Sequence, residues 1–306
     1  MDRADLIIQA VKTNMNLTVQ TASPAGKGAS GSVWRIECKE KPHRIAVKVS
    51  EHFELLKKEY DMLSFLAQKT DSRLPQIYFF ASYEEESTAI LAMEFIDGVS
   101  ADSPLIRFKP NRRRLANSIV DNLFKIQKAH NDKFGPFDNA VFETWQDYYR
   151  EFSEKIYNFC AESFSQNRLQ KNVMDAVELS YRNFDKIFCD EIKPATLIHG
   201  DYWAPNFIVN PKTMELAAAV DPFNVMWADP EYELFAMTVG FGKRLHLYEI
   251  YKSRTAVSEF CDMKLELYAL YSELLWYKNL GKISHNYLSF RAKRLLKQMK
   301  KNGIIK

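Results

Sequence analysis

Three residues in one short stretch carry the chemistry open to this chain. They are Asp201 in His199-Gly200-Asp201, Asn206 five residues later, and Asp221 fifteen residues beyond that. A hydroxyl attacking phosphorus in line needs a proton acceptor or orienting group beside it, and an aspartate on a loop, Asp201, meets that need. The charge of a nucleotide triphosphate calls for Mg2+, a hard cation that prefers oxygen ligands. The Asn206 carbonyl and the Asp221 carboxylate would supply them. His-Gly-Asp alone is a common turn sequence, so the assignment depends on what stands upstream.

Upstream, Gly26-Lys27-Gly28-Ala29-Ser30-Gly31-Ser32-Val33 has the spacing G-x-G-x-x-G-x-V, between residues 17–20 and 33–38, which read as strands. A hairpin whose turn lacks side chains can lie over a triphosphate and offer it backbone N–H groups. A dinucleotide-binding loop would need a helix straight after the third glycine, and a strand follows instead, so that reading fails. Ile45-Ala46-Val47-Lys48-Val49 is the next strand. A lysine in an apolar strand is costly unless its ammonium has partners, and α- and β-phosphates would be such partners. A helix is predicted over 53–67, with Leu55, Leu56, Met62, Leu63 and Leu66 as its apolar face. Glu59, eleven residues after Lys48, is the first choice to hold the lysine, with Glu51 and Glu54 as rivals. Residues 90–98 form an apolar strand that stops at Gly98.

Taken in this order, the elements resemble those of protein-kinase-like enzymes. The resemblance implies ATP and Mg2+ as cofactors. It implies a catalytic set of Asp201, Lys48 and Glu59, with Asn206 and Asp221 on the metal. Nucleotide contacts would come from Gly26, Gly28, Ser30, Gly31, Val33, Ala46 and Lys48. The backbone of Glu94 and Ile96 would meet the adenine edge, with Met93 behind it.

The bulk composition excludes several classes. At 306 residues, 46% hydrophobic and 26% charged, the chain describes an ordinary globule with room for a sizeable core. A formal charge of +3 gives no global reason to expect nucleic acid. The basic run over 291–301 contains Leu295, Leu296 and Met299 at helical spacing and reads as a solvated terminal helix. Cys38, Cys160, Cys189 and Cys261 lie far apart, which argues against a zinc site or disulfide framework and suits a reducing cytoplasm. The charged opening Met1-Asp2-Arg3-Ala4-Asp5 does not read as a signal peptide, and no apolar run approaches the ~20 residues that span a bilayer. Neither membrane nor nucleic acid is expected as a partner.

Strand signals dominate to about residue 95 and helical periodicity after Pro110. The expected architecture is α+β and two-lobed, with a small β-rich N-lobe at 1–97 and a larger α-helical C-lobe at 98–306. The site would sit in a cleft between them. Only eight residues separate Asp221 from Asp229, too few for the long activation segment of a protein kinase, and no A-P-E element is visible. From Glu94 to His199 is 105 residues, and the surplus holds an aromatic stretch at 142–152 that suits a helical substrate-binding insert. The chain here resembles the aminoglycoside phosphotransferase / choline kinase family over nearly its whole length. The likeness rests on H-G-D-x(4)-N, Asp221, and Asp229-Pro230-Glu231-Tyr232-Glu233-Leu234, where Glu233 replaces the second aspartate of D-P-x-x-D-L. A narrower likeness is to fructosamine kinases, carried by Trp203 two residues after Asp201 and by Asp221-Pro222. Both imply an ATP-dependent small-molecule kinase.

On the acceptor side, Trp203 is either a platform for a sugar face or a core aromatic. Asp229, Asp262 and Glu266 are the acidic candidates that would complement a cationic amino sugar. Trp145, Tyr148 and Tyr149 read as packing. The expected acceptor is a hydroxyl of an aminoglycoside-like or fructosamine-like compound. The alternatives are an inactive kinase-like scaffold and a protein Ser/Thr kinase, the latter suggested by the glycine loop.

Overall fold

Alternation along the strands explains how the N-terminal sheet is covered on both faces. The computed structural model describes residues 2–28, 31–281 and 284–306. It begins with α1 (Arg3–Met15), whose first turn is capped by the Asp2 carboxylate and which ends at Asn16 in the left-handed conformation, one that asparagine tolerates. β1 (Val19–Gly28), β2 (Gly31–Cys38), β3 (Arg44–Ser50), α2 (Phe53–Lys69), β4 (Ile77–Tyr83) and β5 (Thr88–Glu94) follow. The five strands form one antiparallel sheet in the order β1-β2-β3-β5-β4. On one face Ile90 and Ala92 of β5 cluster with Leu6, Ile7, Ala10 and Val11 of α1. On the other, Ala89, Leu91 and Met93 cluster with Leu56 and Leu63 of α2. A strand buried on both sides must be apolar throughout, as β5 is.

The chain continues through β6 (Val99–Ser100), α3 (Pro104–Arg107) and α4 (Arg113–Gln127). Then come β7 (His130–Asn131), β8 (Gly135–Pro136), α5 (Trp145–Ser165), α6 (Lys171–Arg182), α7 (Phe184–Ile187) and β9 (Ala195–Ile198). A 3-10 turn at Ala204–Asn206 leads into β10 (Phe207–Asn210) and β11 (Glu215–Ala219). The remainder is β12 (Met226–Ala228), a 3-10 helix Pro230–Thr238, α8 (Gly240–Arg244), α9 (Leu247–Lys252), α10 (Cys261–Leu280) and α11 (His285–Lys301).

Two compact units result, and neither is continuous in sequence. The first is Met1–Ile126 with Asp201–Asn224, and the second is Gln127–Gly200 with Val225–Lys306. The division expected at 97/98 falls inside the first unit. There β6 pairs with β10, and Gly98 packs so closely that a Cβ would lie 2.6 Å from the Val209 carbonyl oxygen. β11-β10-β6 make a three-stranded sheet in this unit.

The second unit has a four-stranded sheet, β7-β9-β12-β8, and an aromatic core. Trp145 stacks on Tyr149 at 5.3 Å between centroids and donates its indole N–H to the Tyr268 hydroxyl at 2.9 Å. These aromatics of α5 are packing, as their spacing suggests. No helix among the described residues is long and apolar enough to cross a membrane.

Candidate active site

Lys48 lies on β3, opposite Val33 of β2 and Leu91 of β5. Its ammonium donates to the Glu59 carboxylate of α2 at 2.7 Å and to Asp221 at 3.0 Å. Glu59 is buried because the α2 face that carries Leu56, Met62, Leu63 and Leu66 is turned to the core. The rivals Glu51 and Glu54 are exposed, and Glu51 pairs with Arg3 instead. Burial works to depress the Lys48 ammonium, and the charges of Glu59 and Asp221 more than offset it. Burial pushes the Glu59 carboxyl up, against the attraction of Lys48. One Glu59 oxygen, Oε1, is buried with no hydrogen-bond partner among the described residues, which leaves the pair half satisfied there.

The glycine hairpin folds as β1 and β2, with Gly28 opposite Gly31. Gly31 has φ +153°, and a Cβ there would lie 2.2 Å from the Val49 carbonyl oxygen, so packing against β3 alone excludes any side chain. Gly26 faces open space, so no contact among the described residues requires its lack of a side chain. Ser30 lies outside the described residues. Ala46 pairs with Met93 in the β3–β5 ladder. The apolar strand ends at Glu94 rather than running to Gly98. The segment beyond it, with Ile96 half-buried, is irregular backbone, where Arg44 of β3 forms an ion pair with Asp97.

Asp201 and Asn206 stand on the loop before β10, fixed from below by Tyr202. That ring is fully buried. Its hydroxyl donates to the Ile119 carbonyl at 2.8 Å and accepts from the Asn122 amide at 3.1 Å, both on α4. Asn206 Nδ2 donates to Asp201 Oδ2 at 2.7 Å and to the Asp201 carbonyl at 3.0 Å. This uses the donor side of the amide and leaves its oxygen as the acceptor. Burial pushes the Asp201 carboxyl up to about 6, with the Asp221 charge adding to it and the Asn206 hydrogen bond opposing it. A carboxylate at that value is ionised at neutral pH yet basic enough to take a proton.

Asp221 follows β11. The Val220 N–H donates to the Asn206 carbonyl at 2.9 Å, which ties the two loops together. Its backbone is left-handed, φ +52°, which costs about 1–2 kcal/mol in a residue other than glycine, though aspartate tolerates it better than most. The side chain is 54% exposed. Lys48, Glu59, Asp201, Asn206 and Asp221 thus all belong to the first unit, an ammonium and three carboxylates with one free amide oxygen. Such a set can hold phosphate charge and accept a proton. Trp203, two residues past Asp201, is 42% exposed, which removes the core-aromatic reading.

Asp229 and Glu266 are corrections. Asp229 is only 2% exposed. It accepts from Lys264 Nζ at 2.8 Å, from the Tyr268 hydroxyl at 2.7 Å and from the Glu231 N–H at 2.9 Å. Glu266 is buried against Arg291 and Arg294. Both are ion-paired inside the second unit, Asp229 with Lys264 and Glu266 with Arg291 and Arg294. Asp262 is half-exposed and accepts from the Tyr248 hydroxyl at 2.6 Å, beside a cavity of about 200 Å³ also lined by Lys243 and Glu249.

Sequence reasoning missed the work of Glu233. Its carboxylate accepts the His199 N–H at 2.6 Å and the Gly200 N–H at 3.1 Å, fixing the two residues before Asp201. Gly200 itself has φ +80°, a turn that favours glycine. The signal was present in the D-P-x-x-D-L likeness, where Glu233 keeps the charge of the aspartate it replaces.

Solved structures share this arrangement of elements. A protein provisionally named fructosamine-3-kinase from Thermobifida fusca aligns with TM-score 0.71 at 17% identity, over 95% of this chain and 98% of its own. One of the same provisional name from Haemophilus somnus aligns with TM-score 0.71 at 15% identity, over 96% of each chain. A thermostable mutant of aminoglycoside phosphotransferase APH(4)-Ia, in ternary complex with ADP and hygromycin B, aligns with TM-score 0.70 at 14% identity, over 97% of this chain and 99% of that one. The fold is therefore the α+β, protein-kinase-like fold of small-molecule kinases. The fructosamine kinase family profile matches residues 3–302, and the chain belongs to that family. Its class is that of phosphotransferases with a hydroxyl acceptor on a small molecule. Among curated proteins, the uncharacterised YcbJ of Escherichia coli K12 is 24% identical over 241 residues, 76% of this chain and 78% of that protein.

Proposed function

We propose that the protein transfers the γ-phosphoryl group of ATP to a hydroxyl of an aminated sugar, a ketosamine or an aminoglycoside-like compound. The observation that carries the reading is the joining of Asp201, Asn206 and Asp221 to the Lys48–Glu59 pair within one unit. Asp201 orients the acceptor hydroxyl and takes its proton, which a carboxyl held at about 6 can do near neutral pH. Lys48, kept charged by Glu59, moves its Asp221-facing hydrogen bond to the α- and β-phosphates. The glycine hairpin gives close backbone access to those phosphates, with Gly26 open to them. The ends of β3 and β5, with Val33, Ala46, Met93, Glu94 and Ile96, form the adenine pocket.

The donor set fits Mg2+. One exposed carboxylate and one amide oxygen are oxygen ligands, and among the described residues no group of three or more His, Cys, Asp or Glu could hold a metal without help. That suits an ion that borrows phosphate oxygens for the rest of its shell. Bound there, Mg2+ would neutralise the charge on the transferred group. Asp221 and Asn206 would hold it, while Asn206 also keeps Asp201 in place.

Trp203 offers an exposed aromatic face for the apolar side of a sugar ring. Free cysteines, three of four buried, suit a reducing compartment such as the cytoplasm.

The test is an ATP-consumption assay over fructosyl-lysine, hygromycin-like and kanamycin-like acceptors, with choline and methylthioribose alongside. Turnover of an aminated sugar is expected. Turnover of choline or methylthioribose alone would remove the substrate class and keep the kinase, whereas silence on all, with no ATP binding, would remove both.

A further inference from the structure

We infer that Lys264 is a positioning residue for the catalytic loop, acting through the 3-10 helix Pro230–Thr238. This rests on the proposed role of Asp201 for its meaning, and on geometry alone for its existence. Lys264 sits on α10, is 3% exposed, and places its ammonium 2.8 Å from Asp229 and 2.7 Å from Glu231. These carboxylates, two residues apart at the start of the 3-10 helix, are themselves 2% and 6% exposed. Two anions that close and that dry cannot both stay charged without a cation between them.

The remaining oxygens are met by the Ser258 N–H on Glu231 at 2.5 Å and the Glu231 N–H on Asp229, while the Ser258 and Tyr268 hydroxyls join the ammonium on the oxygens it holds, at 2.8 and 2.7 Å. Gln127 adds a bond to the Pro230 carbonyl at 3.1 Å. The start of this helix is thereby fixed on α10. Two residues past Glu231, Glu233 receives the N–H groups of His199 and Gly200, and the next residue in the chain is Asp201. A shift in the first turn therefore reaches the backbone that carries the proton acceptor. Misplacement of a reacting group by about 1 Å can cost ~10²-fold in rate.

The experiment reads the loop directly. In Lys264→Met, amide exchange at His199 and Gly200 is expected to quicken by ~10-fold or more beyond the general quickening that lost stability brings to β9 and the β1–β5 sheet, because the opening is local. Turnover in the ATP-consumption assay should fall ~10–100-fold while the calorimetric affinity for Mg-ATP stays within ~2-fold. If Lys264→Met does not fold, Lys264→Arg carries the test. It keeps the charge but replaces a point donor by a wider planar one, and should quicken exchange at the same two amides by ~3-fold or more. Wild-type exchange at His199 and Gly200 in a folded variant overturns the inference. So does a quickening at His199 and Gly200 no greater than that of β9 and the first sheet. The exchange result stands even if no acceptor is ever found, so failure of this inference and failure of the kinase reading can be told apart.

Discussion

Each unit of this molecule holds one lysine between two carboxylates, and the two triads are built for opposite ends. Lys264 lies between Asp229 and Glu231 with every member shut away from water, the anions' other oxygens bonded to the Glu231 and Ser258 N–H groups, and the Ser258 and Tyr268 hydroxyls sharing the ammonium's oxygens. Lys48 lies between Glu59 and Asp221, where Asp221 is more than half exposed and one Glu59 oxygen has no partner among the described residues. The closed triad has nothing left to bind. The open one has a solvated anion in a strained backbone, a lysine able to exchange partners and a carboxyl that burial has pushed toward neutrality. A buried ion pair is thus weak evidence for a ligand site until its members' remaining valences are counted.

The largest effect should fall beside the open triad and exceed the ~10–100-fold loss of turnover expected from the closed one. Asp201→Ala is expected to lower turnover ~10²–10⁴-fold with Mg-ATP binding retained. Steady-state kinetics with calorimetry checks this, and unchanged turnover would remove Asp201 from the mechanism.

The lysines themselves come next. Lys264→Met strands two dry carboxylates and should cost about 3–5 kcal/mol of stability, whereas Lys48→Met should cost about 1–2 kcal/mol, since Asp221 is solvated and Glu59 can take a proton. Denaturant midpoints compare them, and equal losses would erase the distinction between open and closed.

A smaller change in stability, within ~1 kcal/mol, is expected for Asp221→Ala, because the side chain is exposed and the new residue relieves nothing of the left-handed backbone. The same variant should lose measurable Mg-ATP binding by calorimetry. Wild-type affinity would make Asp221 purely structural.

The finest test is pH. Asp201 must be ionised to act, so turnover should fall on the acid side with a midpoint near the about 6 to which burial lifts its carboxyl. Its folded value lies above its unfolded one. Stability from this group is therefore fully present below about pH 4 and is lost as pH rises through about 6. Asp201→Asn should accordingly be more stable than the parent at pH 7, by about 1–3 kcal/mol, with the gain gone below pH 4. A variant with equal stability at both pH values contradicts the burial argument.

Much of the open side could be read from the sequence because its parts are local and ordered. Lys48 interrupts an apolar strand, Glu59 follows at a helical distance, and the Asp-Asn-Asp spacing is set by two loops. The closed side could not be read so. α10 is apolar on nearly every face, with Leu265, Leu267, Tyr268, Leu270, Tyr271 and Leu274 all buried. Its periodicity therefore gives no inner and outer side on which to place Lys264 or Glu266. Their pairing partners lie elsewhere in the chain, Asp229 thirty-five residues from Lys264 and Arg291 twenty-five from Glu266, and no local pattern predicts such pairs. The division of the chain was hidden for the same reason, since β6 finds its partner in β10 only by tertiary contact.

The broken course of the first unit has a bearing on how the protein is made. A ribosome that has finished Ile126 has delivered the five-stranded sheet, Lys48 and Glu59, but neither β10 nor Asp221. The unit closes only after residue 224 emerges, about 5–20 s later at ordinary elongation rates. During that interval the β6 edge and the Asn122 amide lack the partners that complete them. The nascent chain has then to keep a half-built nucleotide lobe from aggregating while the helices of its other unit are still being synthesised.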